Sequence, residues 1–439
     1  MMLSAPVAPM PAHQLLLLLL QLGLLLLLAL LLGRLGMLIG MPAVVGELCA
    51  GVLVGPSVLD HVAPAFAEWL LPKDVAQFHL LDAVGQLGVL LLVGLVGVNV
   101  DFALVRRRGL TAARVSVAGF VLPLGLGIAT GYLLPDSFLP STADRTVFAL
   151  FLGVAMCVSA IPVIAKTLLD MNLLHRNVGQ LILAAGMVDD VFGWLLLSVV
   201  ASMATIGVHL GHVGLSVLYL VAVVLVALLV GRPLVRAALR LSARAREPGP
   251  TVATAVVIVL LAAAATHALG MEAIFGAFIA GLLIGSSGAV DTERLAPLQS
   301  VVLSVLAPLF FAMAGLRMDL TALADPAVLV AAVAVLLVAI VGKFTGAFIG
   351  ALASRLNRWE AIALGAGMNA RGVVEVVVAM VGLRLGVLNT EMYTMVVLVA
   401  IVTSLMAPPV LRLATRRIEE VAGGELRMAT DDLAEGPAR

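Results

Sequence analysis

Lysine is nearly absent from this chain of 439 residues: Lys73, Lys166 and Lys343 stand against twenty-three arginines. Arginine is therefore the generic cation here, and lysine is the one of the two that can release its proton inside a protein. Cysteine is scarcer still. Cys49 and Cys157 lie in separate apolar segments, which excludes a disulfide framework and a cysteine-rich metal site. Of the seven histidines all but His267 fall in loops or near segment ends, so no histidine metal centre is expected. Charge of either sign is sparse, at 12% of residues, and the net charge is zero. No cofactor and no nucleic-acid partner is expected.

What the chain has is apolar mass. Hydrophobic residues make up 62% and the mean hydropathy is +1.17, far above a soluble domain, which implies an all-α polytopic membrane protein embedded in a lipid bilayer. Apolar segments of roughly 20 residues, separated by polar or Gly/Pro breaks, give about thirteen spans. They fall near 14–33, 43–59, 83–100, 112–134, 146–169, 178–204, 212–231, 251–268, 270–287, 299–316, 327–352, 360–385 and 391–414. The leucine-rich first segment reads as a span and not a signal peptide. It has no basic n-region, its apolar core is too long, and no A-x-A site follows.

Basic residues alternate from loop to loop. Arg34, Arg106 to Arg108, Lys166, Arg176, the cluster from Arg232 to Arg246, Arg294, Arg355, Arg358, Arg412, Arg416 and Arg417 share one side, while Lys73, Arg145, Arg317 and Arg384 take the other. The positive-inside rule then places the N-terminus outside and the C-terminus inside, which requires an odd number of spans. Residues 1–417 form the membrane domain. Residues 418–439, with Glu419, Glu420, Glu425, Asp431, Asp432 and Glu435, are expected to be a short, disordered, acidic cytosolic tail. No strand-turn-helix with G-x-G-x-x-G occurs in these residues. Gly125, Gly127 and Gly131 sit inside span four and imply close helix packing.

An internal repeat is visible. Gly46, Ala50, Gly51, Leu53, Gly55 and Ser57 in span two recur at the same spacing as Gly276, Ala280, Gly281, Leu283, Gly285 and Ser287 in span nine. Gly97-x-x-x-Asp101 after span three recurs as Gly315-x-x-x-Asp319 after span ten. The offset of seven spans is odd, so the copies enter the membrane from opposite sides, as in the inverted repeats of secondary transporters.

Asp189 and Asp190 interrupt an otherwise uncharged stretch from Val178 to Met203. An ionisable group at membrane depth costs roughly 2.5–3.5 kcal/mol on insertion scales, so it marks an ion path, a proton relay or a buried pair. Adjacent helix residues point about 100° apart, so one carboxylate can hold an ion while the other meets a partner. Lys343 in span eleven, a possible proton carrier, is expected to meet Asp189 or Asp190 if spans six and eleven touch. An aspartate poised between burial and a nearby cation lets protons and Na+ compete for the same oxygens, which suffices to couple their flows.

Further oxygens are expected from broken helices. Ser159-Ala160-Ile161-Pro162 places a proline in mid-span five, and Gly365, Gly367, Asn369, Arg371 and Gly372 form a polar, glycine-rich centre in span twelve. These spans are also seven apart, so two broken crossing helices are expected at the midplane, with Ser159, Pro162 and Asn369 supplying cation ligands. Arg371 and Glu375, four residues apart, are expected to pair as structural support, with Arg371 offsetting the negative ends of half-helices. On these residues, cation/proton exchange, coupled transport of an organic anion on the same scaffold, and a channel or membrane sensor all stay open.

The chain resembles the monovalent cation/proton antiporter superfamily, in the bacterial branch of Na+/H+ and K+/H+ exchangers. The likeness rests on Gly46-Glu47 with Ala50-Gly51 and Gly55-Pro56-Ser57, Asp189-Asp190, Phe278-x-Ala280-Gly281, Phe310-Phe311 with Gly315, and Asn369-Ala370-Arg371-Gly372 with Glu375. The resemblance implies a thirteen-helix homodimer in the bacterial cytoplasmic membrane. It implies a mobile core, helices near 112–204 and 327–414, that alternates against a dimerisation scaffold like an elevator. It makes Asp190 the ion-binding carboxylate and Asp189 the partner of Lys343, and the two-aspartate form implies electrogenic exchange. The regulated K+ efflux members carry a nucleotide-binding domain that these residues lack, and Ser159-Ala160 replaces the threonine-rich break of many relatives.

Overall fold

Polar side chains with free acceptors stand immediately before apolar runs along the chain, and there the spans begin. Asp101, Asp144, Asp319 and Asp325 each accept a hydrogen bond from the backbone N–H two residues beyond, and Asn357 with Glu360 closes a capping box. The computed structural model describes residues 10–71, 75–160, 164–165, 168, 171, 173, 176–206, 218, 220–288 and 292–434. Among them every element is helical.

The helices that position the site are α1 (Ala12–Leu38), α2 (Ala43–Val54), α3 (Val75–Val98), α4 (Phe102–Leu133), α5 (Arg145–Cys157), α6 (Asn177–Ile206), α7 (Leu220–Ser242), α8 (Gly249–Ala268), α9 (Ala273–Ser286), α10 (Glu293–Leu316), α11 (Pro326–Ala353), α12 (Arg358–Met368), α13 (Val373–Arg384) and α14 (Thr390–Ala434). Gly109, at φ +46°, breaks the first turns of α4 from the rest.

Ten of the described helices are long and apolar enough to cross a membrane, and eleven spans result when α12 and α13, bent by 41°, count as one. The expected thirteen is not reached on this criterion. Of the span expected at 146–169, the described residues show α5, which leaves helical geometry at Val158, and helical residues again at 164, 165 and 168. The span expected at 270–287 appears as the 14-residue α9, because Gly270 at φ +76° and the turn to Glu272 consume its first residues.

Two boundaries also move. The seventh span, expected to end at 231, continues among the described residues to Ser242, since Arg232, Arg236 and Arg240 share one exposed face while Val235 and Leu239 are buried opposite. The stretch after Arg417, expected to be irregular, continues α14 to Ala434, with Arg417 and Glu420 paired at 2.9 Å on its surface.

The inverted repeat is written in backbone contacts. A Cβ at Gly51 would lie 1.8 Å from the Ala312 carbonyl oxygen on α10, and one at Gly281 would lie 2.0 Å from the Gly94 oxygen on α3. Likewise a Cβ at Gly46 would sit 2.2 Å from Leu32 O on α1, and at Gly276 2.3 Å from Ala262 O on α8. The contact of α2 with α10 is thus repeated as α9 with α3, and α1 with α2 as α8 with α9. Glycine occupies these points because any side chain would force the backbones apart.

A second group of helices packs α4 against α11. A Cβ at Gly346 would lie 2.4 Å from Ala118 O. α5, α6, α12 and α13 gather beside this pair and place the polar residues at its centre.

Candidate functional site

The site is assembled where two interrupted helices meet. α5 ends at Cys157 and the chain runs extended through Val158, while α12 ends at Met368 and α13 resumes at Val373. The breaks are joined by Ala160 N–H donating to the Ala370 carbonyl at 3.2 Å and by the Ser159 hydroxyl, 3.0 Å from Met368 O. Gly193 on α6 leaves room for the extended segment, since a Cβ there would lie 2.4 Å from Val158 Cγ1.

Asp189 is buried and saturated. Lys343 Nζ donates to its Oδ2, Ser116 Oγ donates to Oδ1 at 2.6 Å, and Ser159 Oγ lies 3.1 Å from Oδ2. Lys343 also donates to the Cys157 carbonyl. These groups come from α4, the α5 break, α6 and α11, so four segments converge on one carboxylate.

Asp190 is the opposite case. It is fully buried, and neither carboxylate oxygen has a hydrogen-bond partner among the described residues. Both polar atoms of Asn369 in the α12 break are likewise buried without one.

The last carbonyls of α5 have side-chain partners. Arg371 donates to Ala155 O at 3.0 Å and to Met156 O at 2.6 Å, and Lys343 takes Cys157 O. Side-chain cations thus occupy the negative end of α5. Arg371 further donates to Ala339 O at 2.9 Å and pairs with Glu375 at 3.2 Å, and Ser404 Oγ donates to the Arg371 carbonyl. Pro162 lies outside the described residues.

Asp190 belongs to a stripe along α6 formed by Leu183, Met187, Asp190, Trp194 and Ser198, spaced to share one face. Toward the start of α6, Leu183 and Met187 line a cavity of about 360 Å³ with Leu95 of α3, Asn99 just beyond it, and Gln299 and Leu303 of α10. Toward its end the Trp194 ring lies 6.0 Å from that of Phe278 on α9, tilted by 38°. Trp194 Nε1 and Ser198 Oγ are buried without partners among the described residues. Ser116, Met187, Trp194 and Ser404 were missed by sequence reasoning. Serines and a tryptophan in apolar helices carry no local signal, although the i, i+4, i+7 and i+11 spacing around Asp190 was readable.

A family model described as "Sodium/hydrogen exchanger, transmembrane" matches residues 23–416. The chain belongs to this family. It falls within the monovalent cation/proton antiporter superfamily, whose members are transporters and not enzymes. It is 30% identical over 370 residues to the Na(+)/H(+) antiporter NhaS4 of Synechocystis, covering 84% of this chain and 90% of that one. It is 29% identical over 384 residues to Cation/H(+) antiporter 19 of Arabidopsis thaliana, covering 85% of this chain and 46% of that one. This exchanger-family chain therefore spans about half the length of the plant relatives it matches. The fold agrees with the sodium proton antiporter MjNhaP1 of Methanocaldococcus jannaschii at TM-score 0.69 and 16% identity, over 92% of this chain and 99% of that one.

Proposed function

We propose that this family member exchanges a monovalent cation, Na+ in the first place and K+ as a second substrate, for protons, with Asp190 as the shared binding group. The observation that carries this reading is the contrast between neighbours: Asp189 has three donors and Asp190 has none among the described residues. A buried ionised carboxylate without a partner bears its full desolvation cost, so Asp190 holds either a proton or a cation. Asn369, equally unpartnered, supplies a neutral oxygen, and Ser159 stands at the same crossing.

Asp189 and Lys343 act as a charge pair that meets Asp190 when its charge changes, and proton release from Lys343 on cation entry makes the cycle electrogenic. Helices near 112–204 and 327–414 form the mobile core, and the remaining glycine-packed helices form the scaffold and the homodimer contact. Asp190 alternates between the two faces by an elevator-like movement past that scaffold. The protein sits in the bacterial cytoplasmic membrane with its N-terminus outside, its arginine-rich loops inside and residues 418–439 on the cytosolic side.

Coupled transport of an organic anion gains no support. Lys343 and Arg371, the buried cations at the crossing, are already engaged by Asp189, Glu375 and backbone carbonyls.

The test is cation-driven proton movement in proteoliposomes, followed with a pH dye. Asp190→Asn reduces exchange to the protein-free background, and in the unmodified protein the apparent cation affinity weakens as pH falls, because protons compete for the same oxygens. Exchange retained in Asp190→Asn overturns the assignment.

A further inference from the structure

Away from the crossing, α6, α7 and α9 enclose a second cavity, of about 440 Å³. Val191 and Leu195 of α6, Leu228 of α7 and Phe278 and Ile279 of α9 make its walls apolar. One end is polar, where Arg232 and Ser286 line it. α7 is reshaped there: Ala227–Gly231 forms a single π-helical turn, a distortion that recurs at functional sites, and it ends one residue before Arg232.

The arginines beyond this turn have no counter-charge among the described residues. Arg232, Arg236 and Arg240 are exposed on one face of α7, and none forms a salt bridge to a described residue. Arg232 Nη2 reaches the Ser286 carbonyl oxygen only at 3.5 Å, the far limit of a hydrogen bond. A groove that is apolar along its length and cationic at one mouth matches a molecule with a hydrocarbon tail and an anionic head. Guanidinium suits phosphate in particular, because its planar fork can meet two oxygens.

We propose that this groove binds one anionic phospholipid, with an acyl chain against Leu195, Leu228 and Phe278 and its phosphate at Arg232 and Arg236. The position gives the ligand a consequence. Val191 adjoins Asp190 in sequence and Leu195 adjoins Trp194, whereas Phe278 and Ile279 belong to the glycine-packed helices. A bound lipid therefore touches both groups of helices that the proposed exchange cycle moves past each other. The binding claim stands without that cycle.

Native mass spectrometry of the purified full chain tests it, with phosphatidylglycerol and phosphatidylcholine of identical acyl chains as probes. One phosphatidylglycerol is retained in preference to phosphatidylcholine. Arg232→Gln lowers that occupancy by about tenfold, a typical loss for one charge-assisted contact. Ala227→Phe, which fills the groove beside the π turn, displaces both lipids, and Arg244→Gln changes neither. Inorganic phosphate in excess does not compete, because it lacks the chain; displacement by phosphate would mean an anion site and overturn the lipid assignment. Equal retention of the two lipids, or full phosphatidylglycerol occupancy in both Arg232→Gln and Ala227→Phe, would likewise overturn it and leave a nonspecific lipid shell. Exchange assays are not part of the readout, so failure here leaves the assignment of Asp190 intact.

Discussion

Two regions built from halves of the same inverted repeat solve opposite problems. Where α2 meets α10 and α9 meets α3, backbones touch through glycine at distances that admit no side chain. Where the α5 and α12 breaks cross, a lysine, an arginine, two aspartates, a glutamate, an asparagine and a serine are all buried, and several of their polar atoms are unmet. The first region holds its shape by contact. The second is held by a few charge-assisted hydrogen bonds and is left incomplete at Asp190 and Asn369. The proposed exchange cycle needs both, since a site that moves as it exchanges ligands requires a neighbour that does not deform.

The comparison is broken most severely at Asp190. Asp190→Asn removes exchange while leaving thermal stability close to the parent, because no hydrogen bond among the described residues is lost; a large fall in melting temperature would mean the group is structural. Lys343→Ala strands the buried Asp189 charge and costs about 3–5 kcal/mol, read by thermal unfolding in detergent. The serines sharpen the contrast. Ser116→Ala deletes a 2.6 Å bond to Asp189 and costs about 1.5–3 kcal/mol. Ser198→Ala removes a buried hydroxyl with no partner among the described residues and leaves unfolding nearly unchanged. Gly281→Ala probes the other region: a Cβ 2.0 Å from Gly94 O pushes α3 from α9 and costs about 1–3 kcal/mol. Cation affinity per folded molecule should stay constant in that variant, and an altered affinity would show that the two regions are not separable.

Much of this architecture was legible in local patterns. The repeat of Gly46, Gly51 and Gly55 at Gly276, Gly281 and Gly285 predicted an inverted duplication, because close backbone contact admits only glycine and so leaves a trace in spacing. Asp189, Asp190 and Lys343 stood out because charge at membrane depth is expensive. The seventh span was ended too early because a hydropathy window treats Arg232, Arg236 and Arg240 as loop residues. The helix instead keeps them on one face with their charges out of the core. The partners of the last α5 carbonyls were not legible, because the sequence does not state that Arg371, more than two hundred residues later, reaches Ala155 and Met156.

Composition and spacing alone determined that the chain is a helical membrane protein with a duplicated, inverted plan and acidic groups at its centre, since hydropathy and periodicity are properties of short stretches. Which of two adjacent carboxylates is saturated was decided only in three dimensions. Asp189 and Asp190 are chemically identical and differ by about 100° of helix rotation. Ser116, Ser159 and Lys343 arrive from three other segments on one side of that helix, which leaves Asp190 without a hydrogen-bond partner among the described residues.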